Sequence, residues 1–291
     1  MKKKSNLFET IVHGIFLILG LVTIGCVLLI TVYLVVSGIP AIRGIGLIDF
    51  LFGDKWASTA AEPKYGILPF ILTSIYGTAG AVLIGVPIGL LTAVFLSKIA
   101  PPKVARTVSA AVQMLAGIPS VVYGLVGMIV LVPAIQKTFR LASGATLLAA
   151  ILVLAVMILP SIIQVAETSL RAVPEEYEQA SLALGATELE TAFRVSFPAA
   201  RSGVATAVVL GVGRAIGEAM AIIMVSGNVP NMPGLFQPVR FLTTAIASEM
   251  SYAAYGSLWR QSLFSVGLVL FLFIMLINVL LNVLIKGRKE G

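Results

Sequence analysis

Apolar residues run through this chain in long blocks instead of alternating with polar ones. Stretches free of Asp, Glu, Lys and Arg cover 10–42, 65–97, 107–136, 141–166 and 261–285. A sixth, 202–240, is interrupted by Arg214 and Glu218 and ends at Arg240. About 20 apolar residues make a helix long enough to cross bilayer hydrocarbon. Inside lipid the backbone must satisfy its own hydrogen bonds, so spans of this length are helices. The pattern predicts an all-α integral membrane protein with six transmembrane helices, over 11–36, 68–96, 110–133, 145–166, 203–226 and 262–284.

Composition agrees. Of 291 residues 58% are hydrophobic and 11% charged, with a mean hydropathy of +1.04, whereas soluble domains are about 25% charged. This excludes a soluble enzyme, a disordered chain and a secreted disulfide scaffold. One cysteine, Cys26, allows no intrachain disulfide. One histidine, His13, argues against a His-based metal site or a His-dependent nucleophile, and no cofactor or metal is expected. The net charge of +7 is read by loop, as membrane topology and not as nucleic-acid binding. With a cytoplasmic N-terminus, twelve basic residues fall in inner segments and seven in outer ones, and Arg214 lies within a span. Basic residues favour the cytoplasmic side, so both termini are placed there. The expected order is an N-terminus at 1–10, a retained first span at 11–36 and an outer loop at 37–67. A core at 68–285, with an inner loop at 167–201, and a C-terminus at 286–291 follow.

Small residues recur every four positions, as Gly77, Ala81, Gly85 and Gly89 in the second span and Gly203, Ala207, Gly211, Ala215 and Ala219 in the fifth. Such seams let helix backbones approach closely.

Three features carry chemistry. The first is the charge pair Arg214 and Glu218. Charges within spans are costly and face a bundle interior or a wet cavity. Four residues apart, they share one helix face and can pair. One reading is a neutralised pair that fixes packing; the other is an anion site. A planar guanidinium binds a tetrahedral oxyanion through two parallel hydrogen bonds. A carboxylate beside it accepts a hydrogen bond from a protonated oxyanion and repels one without a proton, which suits phosphate better than sulfate.

The second is the inner loop, 167–201, which holds six of the thirteen acidic residues: Glu167, Glu175, Glu176, Glu178, Glu188 and Glu190. Pro174 suits a first helical position, with acidic residues at the positive helix end. Gly185 suits a helix stop. Thr187 with Glu190 is a capping-box pattern for a second short helix ending near Pro198. A helical hairpin is expected, or, more plainly, a solvated connector. The third is Gly117-Ile118-Pro119-Ser120 with Tyr123 and Gly124, where Gly117, Pro119 and Gly124 should distort the helix. Broken helices line substrate sites in transporters, and Ser120 and Tyr123 can donate to an oxyanion; the plainer alternative is a kink satisfied by neighbouring helices.

Glu178-Gln179-Ala180-Ser181-Leu182-Ala183-Leu184-Gly185, followed nine residues on by Val195-Ser196-Phe197-Pro198, resembles the EAA loop of ATP-binding-cassette importer permeases. It keeps Glu178, Ala180, Gly185 and Pro198 and departs at Gln179, Val195 and Phe197. With Tyr65-Gly66-Ile67-Leu68-Pro69, the Ala116–Gly124 stretch and Gly213-Arg214-Ala215-Ile216-Gly217-Glu218, the whole resembles the phosphate-importer permease family (Pst system). Ser226-Gly227-Asn228 is most like its C-type subunit. The resemblance implies a type I ABC importer permease fold in a bacterial or archaeal inner membrane and a coupling loop docked on an ATPase. It also implies two ATP-binding subunits, a second homologous permease subunit and an extracytoplasmic phosphate-binding protein as partners. The outer loops, 37–67 and 227–261, would meet the binding protein, and no residue there stands out.

The chain has no Gly-x-x-x-x-Gly-Lys-[Ser/Thr] phosphate loop, so it is not expected to hydrolyse ATP. No His-Glu-x-x-His or Gly-x-Ser-x-Gly hydrolase motif is present either. The leading expectation is half of an alternating-access pathway in an ATP-driven phosphate importer, with Arg214, Glu218 and Ser120 in the pathway. The alternatives are another oxyanion, sulfate or molybdate, and an ion-coupled secondary transporter.

Overall fold

The computed structural model describes residues 2–286. In chain order the elements are α1 (Lys2–Ile45), α2 (Leu47–Phe52), the hairpin strands β1 (Trp56–Ala57) and β2 (Lys64–Tyr65), α3 (Leu68–Val94), α4 (Pro102–Ala116), α5 (Ser120–Val126) and α6 (Val132–Phe139). Then follow α7 (Leu147–Arg171), α8 (Glu175–Ala183), α9 (Glu188–Thr191), α10 (Phe197–Ala199), α11 (Arg201–Gly217), α12 (Met220–Val225), α13 (Leu242–Glu249) and α14 (Leu258–Lys286). Single π turns extend α3 (Phe95–Ile99), join α5 to α6 (Gly127–Leu131) and join α9 to α10 (Ala192–Ser196).

Among the described residues, five helical stretches are long and apolar enough to cross a membrane: Glu9–Ile45, Leu68–Ile99, Ser120–Phe139, Leu147–Arg171 and Leu258–Leu281. The sixth is a bent pair, in which Glu188–Ala199 meets α11 at 76°. Helix α1 runs well past the 11–36 expected. Near its end Gly38 approaches α14 so closely that a Cβ would lie 3.1 Å from Ser265 Cα, and Ser265 Oγ donates to Gly38 O at 2.6 Å. The remaining expected tail, 287–291, lies outside the described residues.

Helix α7 is the central post, with most of its length buried. The α3 seam packs on it: a Cβ at Gly85 would meet Ile158 at 2.7 Å, and one at Gly89 would meet Ile162 at 2.9 Å. The α11 seam packs on its other side, with Gly203 against Ser169 and Gly211 against Ile162. Ala219 is not part of that seam, because α11 ends at Gly217. The expected third span, 110–133, is divided. Residues up to Ala116 belong to α4, which carries Lys103 and Arg106, and the crossing starts at Ser120. Gly117 and Pro119 make the break, because Pro119 adopts an extended ψ of 141° that no helix continues through. Gly124 does not bend α5. It lets α12 approach, since a Cβ there would sit 2.8 Å from Ala221 Cα.

The two ends of α7 define two ends of the molecule. At its first residues, Leu147 N and Leu148 N donate to Gln237 O and Leu235 O; this cap end carries β1, β2 and α13. At the other end, Arg171 leads into α8 and α9, the helical hairpin.

Candidate functional site

Arg214 stands in the last turn of α11, half-buried, and donates from Nη1 to Ser161 Oγ of α7 at 2.9 Å. Its charge reaches the phenol of Tyr123 on α5. Glu218 does not share its helix face. At Glu218 the backbone turns extended, with ψ 132°, and the side chain folds forward, where Oε1 accepts from Ala221 N at 2.9 Å. Its carbonyl accepts from Thr243 Oγ1 at 2.7 Å. The i,i+4 pairing that a shared helix face would have allowed does not form, because the helix stops between the two residues. Arg214 therefore has no carboxylate within ion-pair distance among the described residues. Its other guanidinium donors make no hydrogen bond among the described residues.

A second break faces this one. Gly117 N and Ile118 N bond back to Met114 O and Leu115 O, and Tyr123 Oη donates to Leu115 O at 2.8 Å. Helix α5 then packs on α12 through Gly124 and Ala221. The break is thus satisfied by bonds to the end of α4, from its own chain and from Tyr123 of α5. Ser120 opens α5, half-buried and with no side-chain hydrogen bond among the described residues. Arg214, Glu218 and Tyr123 come together around the paired breaks; no contact joins Ser120 to them.

The hairpin is built from local chemistry. Pro174 sits at the N-cap of α8, one position before the first helical residue expected. Gly185 ends α8 with φ +88°, in the left-handed region that glycine enters at least cost. Thr187 and Glu190 form the capping box reciprocally, Glu190 N donating to Thr187 Oγ1 at 3.2 Å and Thr187 N to Glu190 Oε2 at 3.0 Å. These bonds hold the Glu190 carboxyl below the usual carboxylate range. Glu178 accepts from Ser196 Oγ at 2.8 Å and pairs with Lys98. Ala180 and Pro198 are exposed, as are Tyr177, Leu184 and Leu189. Glu167 is not in the loop, because α7 continues to Arg171. It is buried, bonded to Ser109 Oγ at 2.8 Å and Arg171 Nη2 at 2.9 Å. Beside it lies a hollow of about 620 Å³ lined by Arg106, Ser109, Gln113 and Arg171 among others.

Sequence reasoning missed the cap. Glu249, the last residue of α13, accepts from the indole nitrogens of both tryptophans, Trp56 at 3.0 Å and Trp259 at 2.7 Å, and from Ser58 Oγ at 3.2 Å. It also pairs with Arg240, whose Nη2 donates to Asn228 O at 2.8 Å. One signal was available: Glu249 is the only acidic residue between 219 and 289.

Residues 85–289 match the family described as binding-protein-dependent transport system inner membrane component. The chain belongs to that family. The permease is 41% identical over 268 residues to the probable ABC transporter permease protein YqgH of Bacillus subtilis, covering 90% of this chain and 87% of that one. It is 34% identical over 283 residues to the phosphate transport system permease protein PstC of Haemophilus influenzae, covering 90% and 88%. Against PstC of Mesorhizobium japonicum the identity is 34% over 249 residues, covering 79% and 75%. A solved structure of the MetNI methionine ABC transporter in an inward-facing conformation superposes with a TM-score of 0.61 at 23% identity, over 76% of this chain and 95% of that one. The fold is therefore that of a type I ABC importer permease. Membership makes the permease a multi-pass inner-membrane transport component and not an enzyme. It implies an ATP-binding subunit and a substrate-binding protein as partners.

Proposed function

We propose that this permease forms half of the pathway of an ATP-driven inorganic phosphate importer and works by alternating access. One observation carries the site: a guanidinium without a carboxylate partner lies beside two broken helices. A lone charge in a span is expensive unless water or an anion meets it. Hydrogen phosphate would take Arg214 donors, and Glu218, swung out to cap Ala221, would accept a hydrogen bond from the phosphate hydroxyl and repel sulfate. The site is transient, since conduction requires release. Ser120 is included as a third pathway residue, a reading supported by its position at the α5 break. The PstC relatives support phosphate over sulfate or molybdate, and the family argues against an ion-coupled carrier.

In this reading both termini and the hairpin are cytoplasmic. The hairpin, with Glu178, Ala180, Gly185 and Pro198, is the coupling loop. Its exposed Tyr177, Leu184 and Leu189 face one of two ATPase copies. A homologous permease supplies the other half of the pathway, and a phosphate-binding protein docks at the cap end. ATP-driven closure of the ATPases moves the hairpin and opens the pathway toward the binding protein.

The test is labelled uptake at low external anion in cells lacking the gene, with sulfate and molybdate in parallel. Arg214→Gln should lower phosphate uptake ~100-fold or more, as loss of a charged anion partner does, and leave complex assembly intact. Glu218→Gln should relax phosphate-over-sulfate discrimination. Phosphate uptake independent of the gene would sink the substrate, and lost assembly in Arg214→Gln would favour a packing role.

A further inference from the structure

The far end of α3 is where the bundle and the hairpin are tied. Beyond Val94 the helix widens into the π turn Phe95–Ile99, a geometry that concentrates at functional positions. Two groups grip this turn. From α7, Arg171 Nη2 donates to Leu96 O at 3.2 Å while it holds Glu167. From α8, Glu178 pairs with Lys98. The side chains of Lys98 and Glu178 are only 12% and 23% exposed, and Ser196 Oγ completes the carboxylate. Helix α8 itself has no buried residue, so polar ties at Glu178 and Ser181 replace a hydrophobic core in joining it to the molecule. Two poorly hydrated opposite charges attract more strongly than exposed ones, which makes this link stiff.

Helix α3 is a rod whose other end reaches the cap. There Ser74 Oγ accepts from Leu242 N at 3.1 Å, and the Phe241 ring covers Gly77. At about 1.5 Å per residue, its 27 residues span roughly 40 Å.

We infer that Lys98 is the positioning residue through which the hairpin moves α3. Its ion pair with Glu178 converts displacement of α8 into displacement of the rod that ends under the cap. This rests on the reading of the hairpin as the coupling loop.

The test uses the complete transporter in proteoliposomes, with both permeases, the ATPase and the binding protein. The readout is phosphate transported per ATP hydrolysed. Lys98→Gln and Lys98→Glu should lower that ratio ~10-fold, within the ordinary range of coupling energies, with the ATPase still bound. The exchanged pair Lys98→Glu with Glu178→Lys should recover at least half of it, which a merely structural role for either residue would not produce. A normal ratio in Lys98→Gln, no recovery in the exchanged pair, or loss of the ATPase from the Lys98→Gln complex would each overturn the proposal. Gly185→Trp separates the two levels. If it uncouples while Lys98→Gln does not, the coupling-loop reading stands and Lys98 falls; if Gly185→Trp transports normally, the coupling-loop reading itself falls.

Discussion

The two ends of α7 hold their connecting segments by opposite means. At the cap end, one carboxylate, Glu249, gathers two indoles, a hydroxyl and a guanidinium from residues as far apart in sequence as 56 and 259. Around it Trp56, Tyr65 and Phe70 are buried, and Trp56 lies edge-on to Tyr65 with centroids 5.5 Å apart. At the hairpin end, the bonds are mostly local: a glycine stop, a capping box and short side-chain ties within residues 178–196. Tyr177, Leu184 and Leu189 face outward there, Leu184 being 90% exposed, while Ala192 and Ala200 pack into the bundle core. The cap is thus a platform closed by long-range contacts, and the hairpin is built mostly from local bonds and tied to the bundle at fewer points. A segment that must move against the bundle gains from few attachments. A segment that must present a fixed surface gains from many.

This contrast can be broken most directly at Glu249. Glu249→Ala leaves Arg240 largely buried without its partner and two indole N–H groups unsatisfied. It should destabilise the cap by about 3–5 kcal/mol, seen as faster amide exchange over 226–257 with the hairpin unchanged. Exchange that rises equally at both ends would dissolve the distinction.

Two glycines with nearly the same conformation sharpen it further. Gly185 and Gly227 have φ of +88° and +77°. Nothing lies within 4 Å of a Cβ at Gly185, whereas one at Gly227 would be 2.6 Å from Pro238 Cβ and 3.0 Å from Ala145 O. Alanine at Gly185 should cost about 1–2 kcal/mol, from backbone strain alone. Alanine at Gly227 should cost a further 1–3 kcal/mol or so from crowding. Thermal unfolding of the two variants in the same detergent measures the difference, and equal losses would argue against a tighter cap.

The smallest effect is in pH, with opposite signs at the two ends. The capping box holds Glu190 below its ordinary value, so its contribution is present above the unfolded carboxylate range and lost as pH falls through the lowered one. At the cap, burial first and Glu249 second raise the Tyr65 phenol. That contribution is full below the ordinary phenol range and lost as pH rises through the raised one. Hydrogen-bond protection against amide exchange should therefore weaken first in the hairpin once the pH falls below the ordinary carboxylate range, and first in the cap once it rises above the ordinary phenol range.

What could be read in advance follows the range of the interactions. Six apolar spans, the seams of Gly85, Gly89 and Gly211, the stop at Gly185 and the Thr187–Glu190 box all depend on neighbours within a helical turn or on gross apolarity. They were legible from the residues alone. Whether Arg214 would pair with Glu218 was not, because α11 stops before Glu218, whose carbonyl is held by Thr243 from a distant segment. Glu167 was misplaced for the same reason: Ser109 and Leu96, on other helices, hold it and Arg171 in α7. The EAA-like spacing named the family class, and no spacing could show that Lys98 would answer Glu178, since the 79 intervening residues carry no periodic signal.

The sequence by itself determined that this is a six-span, helical membrane protein with a capped hairpin, because lipid and local backbone geometry leave those segments little choice. The tertiary structure alone decided which charges meet. It left Arg214 and Glu218 without an ion pair, joined Lys98 to Glu178, and drew Trp56, Arg240 and Trp259 onto Glu249. The physical reason is that a charge buried by folding must find its partner in space, and the chain brings those partners together only once the helices have packed.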